Sequence, residues 1–217
     1  MNHEHPPVAY SQDPMDPAPL CIVIRNYRDG TQQTMGNSHN DRAQPPNTGY
    51  DLLIAIDAPE QLPASDSALQ IYLDPSDTPT RPRHGNASQV HSAQEMDPVV
   101  FSTWAHEVAE LLARLMLEQG LVCVDLVDLA RVFSQSREPF NCLLCDWSDP
   151  HRLPDDLQGK TFTLGVWVVF ACPTQLDTAL FEKAGALFDQ ILSAEGTHLA
   201  AARLQTSSLT KLLFIGS

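Results

Sequence analysis

The chain has 217 residues, 13 basic and 27 acidic, for a formal net charge of −14, and 43% of its residues are hydrophobic. The acidic balance sets aside nucleic acid and anionic membrane as main partners, since both are held by basic surfaces, and the apolar share is that of a globular chain long enough for a sizeable core. No apolar run reaches the roughly 18 residues of a membrane span, and the opening MNHEHPPVAYSQDPMDP has neither the basic start nor the apolar segment of an export signal, so a cytoplasmic protein with five reduced cysteines is expected.

Residues 1–19 carry five prolines and no apolar periodicity, which predicts a flexible tail in which His3 and His5 are incidental. Leu20 to Ile24 reads as a buried strand. Arg25 to Gly49, with Gly30, Gly36, Pro45 and Pro46, reads as a long loop or a degraded helix. Asp51 to Ile56 is a second buried strand, Ala58 to Ser67 a turn or short helix, and Leu69 to Leu73 a third strand. Residues 74–98 read as loop, broken by Pro75, Pro79, Pro82 and Pro98. Trp104, Val108, Leu111, Leu112, Leu115 and Met116 then mark one face of a long helix. Ser102 or Thr103 is expected to cap it, with Gly120 in the left-handed position past its end.

A short helix is expected from Leu126 to Phe133, then a strand from Phe140 to Trp147, a loop over Ser148 to Gly159, and a central strand over Thr161 to Cys172. Leu180, Ala184, Leu187, Phe188, Ile191 and Leu192 predict a helix from Asp177, its cap, to Glu195, ended by Gly196. His198 to Leu204 and Lys211 to Ile215 read as closing strands. Alternating strands and helices make the class α/β or α+β.

Several strings, in this order, resemble bacterial FtsZ of the tubulin/FtsZ superfamily. Leu53 to Leu62 followed by Ser65 to Leu73 resembles FIAINTDAQAL…SKAPTKIQLG; Gly120 to Val132 resembles GLINLDFADVRTV; Val166 to Gln190 resembles GVLVNITGGxDLTLFEVNEAAEII; Leu212 to Gly216 resembles the strand ending in ATG. The resemblance implies an α/β fold of reduced FtsZ/tubulin-like architecture: a truncated nucleotide-domain sheet, a long central helix, and a C-terminal sheet domain with packed helices. Its implied divisions are a tail (1–19), a remnant of the nucleotide-type domain (20–100), a core helix (101–120) and a C-terminal domain (121–217).

The family holds GTP on a glycine-rich loop after its first strand and on the motif GGGTGTG, where glycine backbones approach phosphate closely. Here the first strand runs into Arg25-Asn26-Tyr27-Arg28-Asp29-Gly30, and GGGTGTG is absent. No GTP site, no GTPase activity and no cofactor are therefore expected. The family's synergy loop, NxDxxD, is matched by Cys123-x-Asp125-x-x-Asp128. The resemblance implies a docking face on an FtsZ subunit, carried by Asp125 and Asp128 with Cys123 and Arg131 beside them. The residues also allow a plainer reading, in which Asp125 caps the following helix and Asp128 sits in its first turn.

Cys142-x-x-Cys145 has zinc or redox spacing. It lacks a second pair, and Leu143 and Leu144 between the cysteines suggest strand interior, so buried structural thiols are the expectation and a metal or redox enzyme the alternative. The function expected is thus a non-enzymatic, FtsZ-binding regulator of cell-division filaments. A scaffolding module, homodimeric or serving another protein partner, is the alternative.

Overall fold

The computed structural model of the protein describes residues 20–36, 49–62, 65–82, 84–118 and 120–217. The tail with His3 and His5, and Pro45 and Pro46, lie outside the described residues. In chain order the elements are β1 (Cys21–Asn26), β2 (Gln32–Gly36), β3 (Leu52–Ile56), β4 (Leu69–Asp74), β5 (Ala87–Ser92), α1 (Pro98–Leu117), α2 (Leu126–Gln135), β6 (Phe140–Asp146), a 3-10 turn (Asp155–Leu157), β7 (Phe162–Ala171), α3 (Thr178–Phe188), β8 (Leu192–Leu204) and β9 (Lys211–Gly216).

All nine strands join one mixed sheet in the order β2-β1-β3-β4-β5-β6-β9-β7-β8. From β1 through β3, β4, β5 and β6 the neighbours run parallel; β9 lies antiparallel between β6 and β7, and β8 runs parallel to β7. The sheet is continuous past both ends of α1, because β5 pairs with β6 through Val90 and Phe140. The chain is thus α/β, with a nine-stranded mixed sheet and, among the described residues, three α-helices.

Alternation along the strands builds two large cores, beside a small third cluster of Ala55, Ala58 and Tyr72. Ile22, Ile24, Ile54, Ile71, Val166, Val168, Leu213 and Ile215 face one side and pack under α1 and α2. Trp167, Val169, Leu212 and Phe214 face the other side and pack under α3. There Phe188 stacks between Trp167 and Phe214, with ring centroids 4.9 and 5.5 Å apart. The sheet also curves around α1. His106 meets Asn26 at the end of β1, and Leu115 accepts a hydrogen bond from Arg203 of β8. Nine helical residues rise only ~13 Å, whereas the strand order would place β1 and β8 about 34 Å apart in a flat sheet.

Several boundaries differ from the sequence reading. Asp97, not Ser102 or Thr103, caps α1: its carboxylate accepts from the Val99 and Val100 N–H at 2.9 and 3.1 Å, with Pro98 at the first helical position. The extra turn escaped the apolar pattern because Val99 and Val100 are 76% and 51% exposed. At Gly120 a side chain would collide with Arg203 and the Ala202 carbonyl, so the position requires space. The helix expected to reach Glu195 ends at Phe188, and Leu192 opens β8, which passes through Gly196. Ile191 and Leu192 are buried as the periodicity implied, but as the turn and strand that follow the helix.

Two strands lay inside expected loops. After β1 the chain turns at Gly30, where φ is 73°, and returns antiparallel as β2. The polar ASQVHS segment forms β5 between β4 and β6. The parallel steps β3 to β4 and β4 to β5 contain no helix among their described residues, which include 58–62 and 65–67 of the expected turn or short helix. A polar clamp fixes these connections instead. Asp74, at the end of β4, accepts from Arg81 Nε at 2.6 Å and Nη2 at 2.8 Å, and from Gln89 Nε2 at 2.9 Å. Arg81 lies over the Tyr72 ring, 4.6 Å from its centroid, and also donates to the Ala58 and Pro59 carbonyls. One guanidinium thereby ties both connections to the sheet.

Candidate docking face at residues 120–134

The segment leaving α1 is shaped by its contact with β8. Leu121 N–H donates to the Ala202 carbonyl at 3.1 Å, and Val122 forms an antiparallel bridge with Ala202. Val124 is buried, and the chain then enters α2 through Asp125. Asp125 is extended, with φ −99° and ψ 172°, and its Oδ1 accepts from the Asp128 N–H at 2.7 Å. The capping reading of these aspartates is therefore realised, with Asp128 in the first turn, where the helix dipole favours an anion.

Leu129, Val132 and Phe133 turn inward from α2, and Phe133 packs against Phe140 with centroids 4.7 Å apart. The opposite side of the helix exposes Val127 (76%) and Arg131, and Leu121 is 49% exposed on the approach. Cys123 and Asp125 are also exposed, Asp128 partly so. The structure thus gathers Cys123, Asp125, Asp128 and Arg131 on one short segment around two exposed apolar side chains. None of Asp125, Asp128 and Arg131 is in a salt bridge with a described residue. The face therefore presents two exposed aliphatic side chains, Leu121 and Val127, beside charges of both signs.

The Cys142/Cys145 pair is corrected by geometry. Cys142 points into the core under α1 and α2, and Cys145 packs on the opposite side of the sheet, as residues three apart on a strand must. The two sulfurs cannot share a metal or close a local disulfide. Burial pushes the Cys142 thiol far up and Cys145 up to about 11, so neither is a ready thiolate. No cluster of three or more potential metal ligands occurs among the described residues. No helix among them is long and apolar enough to cross a membrane.

Sequence reasoning missed the grouping at the carboxyl ends of the parallel strands. His106 Nδ1 donates to the Ser102 carbonyl at 2.9 Å, which leaves Nε2 to accept from Asn26 Nδ2 at 3.5 Å. Arg28 donates to the Pro98 carbonyl and lies 4.0 Å from Asp57, whose φ of 49° is the one positive value at a described non-glycine residue. These contacts fasten the β1–β2 turn to the start of α1. Their partners are up to 80 residues apart, and no local motif announces them. Sequence reasoning also missed Arg203. It is 2% exposed, and its Nη1 donates to Cys123 Sγ at 3.5 Å.

No protein-family model matches the chain, and no curated protein matches it. Solved structures with a similar chain path include a mutant FtsZ from M. jannaschii, at 14% identity and a TM-score of 0.46, covering 77% of this chain and 47% of that one. An empty FtsZ dimer from the same organism is 12% identical, with a TM-score of 0.45 and coverage of 77% and 54%. CetZ from Methanosaeta thermophila strain DSM 6194 is 10% identical, with a TM-score of 0.49 and coverage of 78% and 61%. The chain thus spans about half to three fifths of the length of these proteins.

Proposed function

We propose that the chain is a non-enzymatic docking protein that binds an FtsZ-type subunit through residues 121–131 and caps or tunes its filaments in cell division. The observation that carries this reading is the exposed face itself, with Leu121 and Val127 framed by Asp125, Asp128 and Arg131 and no described salt-bridge partner for these charges. The partner class comes from the resemblance of Gly120 to Val132 to the family's synergy loop. The non-enzymatic reading is supported by the turn between β1 and β2, which has one glycine, Gly30, where the resemblance would call for a glycine-rich phosphate loop after the first strand.

The test is co-sedimentation with FtsZ filaments assembled with GTP, beside a direct GTP-binding measurement on the chain alone. Co-sedimentation or shortened filaments, without GTP bound by this chain, supports the reading. Wild-type binding by the Asp125→Ala/Asp128→Ala variant would sink it. A homodimeric scaffold is the second reading, favoured by β8. This 13-residue strand lies at the sheet edge and is bridged on its outer side at Ala202 among the described residues. Light scattering on the purified chain separates the two: a tight dimer indifferent to FtsZ supports the scaffold.

A further inference from the structure

Arg203 is the largest fully buried side chain of the described residues, and it has no carboxylate partner among them. Its Nη2 donates to the Leu115 carbonyl and its Nη1 points at Cys123 Sγ, 3.5 Å away. Its Nε, fully buried, has no hydrogen-bond partner among the described residues. A guanidinium cannot escape this cost by losing its proton. A buried cation with no counter-charge among the described residues is stabilised by an anion at close range. The group placed to supply one is the sulfur of Cys123, which sits at the exposed mouth of the site.

The local architecture serves that pairing. Gly120 leaves space that any side chain would take from Arg203 and the Ala202 carbonyl. The Leu121–Ala202 hydrogen bond and the Val122 bridge then hold the strand so that the thiol meets the guanidinium from the solvent side. Other charged groups in this region are Arg114 and Glu118, paired with each other at the end of α1, and Asp125, which caps α2. None of them is hydrogen-bonded to the thiol or to Arg203 among the described residues.

We propose that Cys123 is a modification site: an exposed cysteine sulfur, in contact with buried Arg203, that reacts through its thiolate form with hydroperoxides. The thiolate sulfur attacks one peroxidic oxygen, the O–O bond breaks, and an S–O bond forms. The sulfur takes the terminal OH and the other oxygen departs as RO⁻, so Cys123–S⁻ plus ROOH gives Cys123–SOH and RO⁻; RO⁻ then takes a proton from water, giving ROH and hydroxide. Sulfur gives up two electrons and the peroxide receives them. The Arg203 hydrogen bond holds the thiol below its ordinary range, in keeping with this role. Cys142 and Cys145 are pushed the other way by burial. Cys172 is also lowered, through its Thr174 hydrogen bond, and serves as the internal comparator.

The experiment is limited alkylation of the folded full chain with iodoacetamide at a series of pH values, read peptide by peptide by mass spectrometry. Hydrogen peroxide followed by dimedone trapping runs in parallel. Expected is a Cys123 reaction at pH 7 about fivefold faster than in Arg203→Met, with Arg203→Lys restoring part of the difference. Dimedone adducts should appear first at Cys123. Should Arg203→Met fail to fold, the same titration of the wild-type chain in urea supplies the reference, and the native Cys123 profile should lie at lower pH. A native profile coincident with that in urea, an Arg203→Met rate equal to wild type, or adducts no earlier at Cys123 than at Cys172 would each overturn the proposal. The outcome does not depend on FtsZ binding.

Discussion

Replacing Arg81 by methionine tests what holds the β3–β4 and β4–β5 connections to the sheet. The Asp74 side chain is 1% exposed and the Arg81 side chain 8%. Asp74 would lose two of its three hydrogen bonds and keep only that from Gln89. The Ala58 and Pro59 carbonyls would lose their shared donor at the same time. Removing one partner of a buried ion pair costs about 3–5 kcal/mol, because the other charge stays buried without its counter-charge. For a chain of this size that corresponds to a fall in Tm of about 10 °C. Urea unfolding gives the free energy, and hydrogen exchange over 57–62 and 75–82 should show those connections loosening ahead of the strands. The double replacement Asp74→Leu/Arg81→Met removes both charges and should cost less than Arg81→Met alone. A loss below about 1 kcal/mol for Arg81→Met would refute the reasoning, since a pair worth so little is screened by water and clamps nothing.

Other outcomes follow from the same geometry. Asp125→Ala should lower stability by about 1 kcal/mol through the lost cap, measurable by urea unfolding, while the Asp128→Ala change should cost less. Phe188→Ala empties the space between Trp167 and Phe214 and should cost about 3–5 kcal/mol, with a loss of near-ultraviolet tryptophan ellipticity. Gly120→Ala forces Arg203 aside and should cost about 1–3 kcal/mol, more than any surface glycine change. His91 is depressed from 6.5, chiefly by burial, with Asp74 opposing and Arg81 assisting. The unfolded chain therefore binds its proton at higher pH than the folded chain. Stability from this group is constant above about pH 6.5 and falls as pH drops below it, by at most about 1.4 kcal/mol per unit. A His91→Gln variant should show a shallower loss between pH 6.5 and 5 in unfolding titrations.

The sequence by itself determined the elements whose apolar residues repeat strictly. Leu52 to Ile56, Phe162 to Ala171 and the Trp104 to Met116 face were legible because burial on two sides or one leaves a regular pattern in the chain. The cap at Asp125 was equally legible, since an N-cap carboxylate and the N–H that donates to it lie within three residues. What lacked a local signature was decided by tertiary structure. ASQVHS becomes a strand because β4 and β6 offer it hydrogen bonds on both sides, not because its residues favour strands. Helical spacing ran on through Leu192 because a strand packing under the same helix buries the same residues. Cys142 and Cys145 look like a pair in sequence and stand on opposite faces of a sheet. Arg203 and Cys123, 80 residues apart, form a pair that only the fold brings together.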